Sequence, residues 1–263
     1  MPMNRAPFSE THPPGPAISV VVPFFNEAEN IHAFVAELAA CLDEVEASHG
    51  RVEVLLVDDG SSDGTPYALE DACRTRVGWR ALRFLKNCGQ AAALYHGMKA
   101  AHGERIVLLD GDGQNDPADI PKLLALLDRG ADLAVGIRAS RKDNLRRKLI
   151  SRLANAIRSR FLRDGVQDSG CGLKVMRREV VAALIPIRTL YSFIPALVAS
   201  AGFRIAETAV THRPRIGGKS NYGLRRFLIW PVLDMLGLSW FIQRRCPSPM
   251  VKSHSAPFET VSL

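Results

Sequence analysis

The sequence predicts an α/β domain on a mostly parallel sheet with helices on both faces. Three observations predict it. Continuous apolar, β-branched runs recur along the first half, each ended by turn residues, as strands buried on both faces do. Helical patterns lie between them, and strand alternating with helix gives a parallel sheet covered on both sides. Polar residues gather at the carboxyl ends of the runs, where such sheets bind ligands.

The elements follow in order. Met1 to Pro16 carries prolines at 2, 7, 13, 14 and 16 and has no apolar signal-peptide core. It reads as a disordered leader, with the protein remaining in the cytoplasm. Ile18–Val22 is a strand stopped by Pro23, and Asn30 to Glu46 is a helix with Ile31, Phe34, Val35, Leu38 and Leu42 on one stripe. Val52–Val57 is a strand ended by Asp58-Asp59-Gly60, and Gly64-Thr65-Pro66 opens a helix with proline in its first turn. Ala91–Ala101 and Pro117–Leu127 are helices. Arg105–Leu109, stopped by Asp110-Gly111-Asp112-Gly113, and Ala131–Ile137 are strands. The second half is more basic: Arg138 to Arg163 holds ten Lys or Arg, on a helix expected from about Asn144. Phe203–Thr211 reads as a late strand and His212–Lys219 as a basic, glycine-bearing loop. Phe227–Ile242 is apolar between Arg225-Arg226 and Arg244-Arg245, and Pro247–Leu263 is a polar tail. The expected division is a leader over 1–16, a catalytic domain over 17–215, a loop and membrane-associated segment over 216–245, and a disordered tail over 246–263.

Composition narrows the classes. The 263 residues are 47% apolar and 23% charged, enough for one full core. The five cysteines are odd in number and none sits at C-x-x-C spacing, which argues against a disulfide framework or zinc site. The net charge of +7 suggests an anionic partner: nucleic acid, a phosphorylated substrate or an acidic membrane. A nucleic-acid-binding protein would account for the charge but not for acidic strand ends, which repel a phosphate backbone. No nucleic-acid partner is therefore expected.

Asp110 and Asp112 are the sharpest signal. Residues i and i+2 of an extended chain share a face. Two carboxylates so placed can hold a divalent ion that also grips a diphosphate, and magnesium or manganese prefers such oxygen ligands. The ion would neutralise charge on a leaving nucleoside diphosphate. The same letters also suit a solvated turn. At the end of the second strand, Asp58 or Asp59 can accept from a nucleobase N–H or a ribose hydroxyl, while Asp63 suits capping of the next helix.

Val21 to Glu27 (V-V-P-F-F-N-E), Val57 to Thr65 (V-D-D-G-S-S-D-G-T) and Asp110 to Pro117 (D-G-D-G-Q-N-D-P) resemble the motifs of family 2 glycosyltransferases. Asp168 to Val180 and His212 to Tyr222 resemble later motifs of the polyprenyl-phosphate branch. The resemblance implies the GT-A fold and roles by position. Pro23, Phe25, Glu27, Val57, Asp58 and Asp59 would line the nucleotide-sugar pocket. Asp110, Gly111, Asp112 and Gln114 would hold the metal, Mg2+ or Mn2+, and the diphosphate. Arg213, Lys219 and Ser220 would contact the acceptor phosphate, with Asp112, Arg213 and Lys219 catalytic. Where the family often has histidine and arginine before F-x-P-A-L, this chain has Tyr191 and Ser192. The implied reaction is inverting transfer from a UDP- or GDP-sugar to a polyprenyl phosphate, for cell-envelope glycan or lipopolysaccharide modification. A soluble or other lipid acceptor is the alternative.

A lipid phosphate is already ionised, so it needs cations rather than a base, and the second half supplies cations without an isolated carboxylate at an obvious motif position. Phe227–Ile242 is shorter than the roughly 20 residues of a membrane span and holds Pro231 and Asp234. It reads as an interfacial helix with arginines on acidic headgroups and Trp230 and Trp240 at the boundary, or else as a buried core helix. The expected location is the cytoplasmic face of the membrane, peripheral or monotopic.

Overall fold

The computed structural model describes residues 15–138, 158–214 and 224–245, with side chains of the last segment from residue 232. The order is β1 (Ile18–Phe24), α1 (Ile31–His49), β2 (Val52–Asp58), α2 (Thr65–Thr75), β3 (Trp79–Arg83), α3 (Gln90–Ala100), β4 (Arg105–Leu108), α4 (Ile120–Asp128), β5 (Leu133–Arg138), β6 (Lys174–Arg177), α5 (Leu190–Ser200), β7 (Ile205–Val210) and α6 (Leu224–Arg244). The seven strands form one sheet in the order β3-β2-β1-β4-β6-β5-β7. All run parallel except β6, which is antiparallel to both β4 and β5.

Strand residues alternate between two cores, one on each face. Val20, Val22 and Phe24 of β1 and Val54 and Leu56 of β2 pack with helices α1, α2 and α4. Val21, Leu55 and Val57 face the other way, towards α3, α5 and Leu238 of α6. This two-sided burial is why the first strands are continuously apolar.

Three local expectations shift. Strand β1 runs through Pro23 to Phe24 rather than stopping at the proline. Pairing with β4 ends at Val21, while pairing with β2 continues to Phe24. Pro23 thus faces the side where the ladder has already ended, and its missing N–H costs nothing there. Strands β3 and β6 were not anticipated. Edge strand β3 buries Trp79 and turns its arginines outward, so it does not read as apolar. Strand β6 has four residues, and its buried face includes Lys174. The expected helix from Asn144 lies outside the described residues, apart from a helical turn at 158–162.

Helix α6 does two things at once. Leu238 is buried against the core, Thr189 Oγ1 donates to Asp234 Oδ2 at 2.6 Å, and Arg245 donates to Leu197 O and Ser200 Oγ. Val232, Leu233, Leu236 and Trp240 stay exposed on one helical face. Among the described residues no helix is long and apolar enough to cross a membrane.

Candidate active site

The loops at the carboxyl ends of β1 and β2 are laced together. Asn26, in left-handed backbone at φ 54°, donates its N–H to Ser61 Oγ and accepts from Ser62 N through Oδ1. Glu27 N donates to Thr65 Oγ1 and Ala28 N to Asp63 Oδ2. Asp63 also accepts from Thr65 N at 2.9 Å, ahead of α2. Burial would raise the Asp63 pKa, but these bonds bring it below the usual carboxylate value.

The two aspartates ending β2 do different work. Asp59 accepts from Cys88 N at 2.7 Å, Gly89 N at 2.8 Å and Asn87 Nδ2 at 3.0 Å, so it fixes the loop that starts α3. Asp58 accepts from Ser61 N through Oδ1. Its Oδ2 is buried and accepts no hydrogen bond; Arg83 Nε stands 3.5 Å away. A buried carboxylate oxygen without a donor favours a ligand donor. Of the other residues expected around the nucleotide, Pro23 is buried within β1 and Val57 lies wholly in the core beneath α3. Phe25 and Glu27 are partly exposed at the β1 loop. The side chain at 57 points away from the loops because strand residues alternate, and the motif letters do not reveal which face each takes.

Asp110 and Asp112 follow β4. Gln90 Nε2, from the first turn of α3, donates to Asp110 Oδ1 at 2.6 Å. Asp112 Oδ1 accepts from Gln114 N at 3.1 Å. Gly111 lies against the Phe24 ring, where a Cβ would come within 2.5 Å of Cε1. Burial, then the charge of Asp112, pushes the Asp110 pKa up to about 6, against the pull of Lys174, Gln90 and Arg138. Like-charged carboxylates with a costly second ionisation are what a divalent cation relieves, so the donor set fits magnesium or manganese. Among the described residues no group of three His, Cys, Asp or Glu forms a closed cage, so diphosphate and water would complete the coordination. Protons compete for the same oxygens. Mn2+ affinity is therefore expected to be flat above pH 7 and to fall by about tenfold per pH unit below pH 6, read by calorimetric titration.

The structure brings further groups to this edge. Arg138, at the end of β5, makes a two-pronged bond to Asp168, Nε to Oδ2 at 2.7 Å and Nη2 to Oδ1 at 2.6 Å. Glu207 of β7 accepts from Gln167 N and Asp168 N and so fixes that turn. A cavity of about 60 Å3 beneath Asp110 is lined by Gln90, Cys171, Gly172, Lys174 and Tyr191, among others. Lys174 donates to Cys171 O, and burial lowers its pKa despite Cys171 and Asp110 nearby. Asp168 corrects one expectation: the second half does deliver a carboxylate to this edge, already paired with a guanidinium. It headed a quoted motif, yet only the sheet order, with β6 between β4 and β5, places it near Asp110. Arg213 is held elsewhere, by Glu37 Oε1 at 2.6 Å and Asp116 Oδ2 at 2.5 Å. Lys219 and Ser220 lie outside the described residues.

The family model "Glycosyl transferase family 2" matches residues 19–185, which contain every strand-end acidic motif above. The chain belongs to glycosyl transferase family 2. This glycosyltransferase is 39% identical over 232 residues to a dodecaprenyl-phosphate galacturonate synthase of Rhizobium johnstonii, covering 86% of this chain and 67% of the relative. It is 34% identical over 213 residues to an undecaprenyl-phosphate 4-deoxy-4-formamido-L-arabinose transferase of Edwardsiella ictaluri, covering 80% and 64%. The chain thus spans about two-thirds of the length of the curated relatives it matches. In fold, the glycosyltransferase resembles glucosyl-3-phosphoglycerate synthase of Mycobacterium tuberculosis, solved with Mn2+, UDP-glucose and phosphoglyceric acid. The TM-score is 0.64 at 19% identity, over 86% of this chain and 80% of that one. A mannosyltransferase of Pyrobaculum calidifontis, solved with GDP-mannose and Mn2+, gives 0.58 at 20% identity, over 89% and 66%. The fold is GT-A, as the motifs imply.

Proposed function

We propose that the protein transfers a sugar from a nucleotide-sugar donor to a polyprenyl phosphate, with inversion, on the cytoplasmic face of a membrane. The observation that carries this is the Asp110–Asp112 pair at the end of β4, in a chain 39% identical to a dodecaprenyl-phosphate sugar transferase. Asp110 and Asp112 would hold Mg2+ or Mn2+, which supplies charge neutralisation to the leaving diphosphate. Gln90 fixes one oxygen of Asp110, and Gln114 N orients Asp112. Asp58, whose Oδ2 accepts no hydrogen bond, would take a donor from the nucleoside, with Phe25 and Glu27 at the neighbouring loop. Asp168 holds Arg138 with its guanidinium at the carboxyl edge, where a cation favours an approaching phosphate. Lys219 and Ser220 are proposed to add to that contact. One displacement by the lipid phosphate inverts the anomeric centre.

The test incubates the purified protein and Mn2+ with radiolabelled UDP- and GDP-sugars, undecaprenyl phosphate in detergent, and a soluble alcohol acceptor. Label is expected in the organic extract as a sugar phosphodiester of inverted configuration. Label confined to water-soluble product, or a retained configuration, overturns the reading.

The exposed face of α6 supports membrane association. Val232, Leu233, Leu236 and Trp240 form an apolar stripe, and Arg244 sits over the Trp240 ring at 5.8 Å. A face of this kind, with arginine at its end, suits an acidic bilayer interface. The triple change Val232→Ser, Leu233→Ser, Leu236→Ser is expected to release the protein from phosphatidylglycerol-containing vesicles in a flotation assay. Unchanged flotation would place the membrane contact elsewhere.

A further inference from the structure

We infer that Arg213 is a positioning residue that braces the acidic loop after β4 against helix α1, rather than a ligand of substrate phosphate. The inference rests on the reading of Asp110 and Asp112 as metal ligands.

The stretch leaving β7 is stitched to that loop at successive residues. Thr211 N donates to Asp119 Oδ2 at 2.5 Å. His212 forms an antiparallel bridge with Asn115, and Arg213 N donates to Gln114 O at 2.8 Å. The Arg213 guanidinium then bonds Glu37 on α1 and Asp116 in the loop. Cys41 Sγ adds a second tie from α1, to Pro117 O.

Charge decides what this guanidinium can do. Two carboxylates surround one cation, so the pocket carries a net charge of about minus one, and an incoming phosphate would be repelled. Charge-assisted bonds to both partners give the side chain one fixed geometry. That geometry reaches the metal ligands through the backbone. Arg213 holds Gln114 by its main chain and Asp116 by its side chain, and Gln114 N in turn orients the Asp112 carboxylate. Supports one bond behind a metal ligand matter because they set its direction.

Glu37 offers a clean handle, since it belongs to α1 rather than to the acidic loop and its carboxylate accepts from Arg213. Glu37→Ala, Arg213→Ala and the double variant would be titrated calorimetrically with Mn2+ in the presence of UDP, and assayed for kcat and for KM in Mn2+. Each single change is expected to weaken Mn2+ binding by about tenfold and to raise KM for Mn2+ more than it lowers kcat. The double variant should be no worse than either single one, because one brace is lost once. Arg213→Lys, which keeps a cation between Glu37 and Asp116, should lose less than Arg213→Ala. Single effects that multiply in the double variant, or normal Mn2+ affinity in Glu37→Ala beside a crippled Arg213→Ala, would return Arg213 to the substrate. Amide hydrogen exchange over residues 113–119 needs no metal. Faster exchange in Glu37→Ala supports the brace, and unchanged exchange overturns it, even were the wild-type protein to bind no Mn2+ and the metal reading itself to fail.

Discussion

Asp112→Ala is expected to lower sugar transfer by about 10³-fold or more while the protein stays folded. The magnitude follows from the proposed metal role, in which the change removes a ligand from an ion that would contribute several kcal/mol to the developing charge. The fold should survive because Asp112 is partly exposed and packs into neither core, and Gln114 N, which donates to it, is in the same loop. Asp110→Ala should be as damaging to transfer, and it also frees Gln90 from its 2.6 Å bond. Circular dichroism and thermal melting of both variants alongside transfer kinetics decide the point. A double variant that still turns over at the normal rate would remove the metal from the mechanism.

Gly172→Ala should be nearly as harmful, although it removes no charge. A Cβ at this position would overlap Asp110 Oδ2 and come within 2.7 Å of Asn115 Nδ2. Neither side chain can yield without disturbing the site, because Gln90 pins the other Asp110 oxygen and Asn115 is buried in the bridge to His212. Displacing a catalytic group by about 1 Å costs on the order of 10²-fold. The variant should melt near the wild-type temperature yet show a reduced kcat and weaker Mn2+ binding. Wild-type kinetics would mean that the segment before β6 can shift without moving Asp110.

The sequence made the first half of this fold readable because its strands are buried on both sides. Ile18–Phe24 and Val52–Asp58 are apolar at nearly every position, so their ends and the acids that follow stand out. Strands β3 and β6 stayed hidden for opposite reasons. Trp79–Arg83 lies at the sheet edge and needs few apolar residues. Lys174–Arg177 is central, but it begins with a buried cation whose setting only the tertiary structure supplies. The site divides along the same line. Asp110 and Asp112 were visible as a pair two apart. Gln90, Arg138, Asp168, Gly172 and Lys174 come together through crossovers that no local pattern records. Val57 and Arg213 show the reverse: each belongs to a motif, yet one is packed beneath α3 and the other is clamped by two carboxylates.

Strand β6 has a consequence for how the enzyme matures. It slots between β4 and β5 although a long stretch of chain separates it from β4. Pairings between distant segments carry the largest loop-closure cost and tend to form late. The segment entering β6 brings Gly172 and Lys174 up to Asp110. A newly made chain can therefore assemble β1 to β4, with both acids in place, and still lack the floor beneath them. Full activity is therefore expected only once this segment has docked against β4.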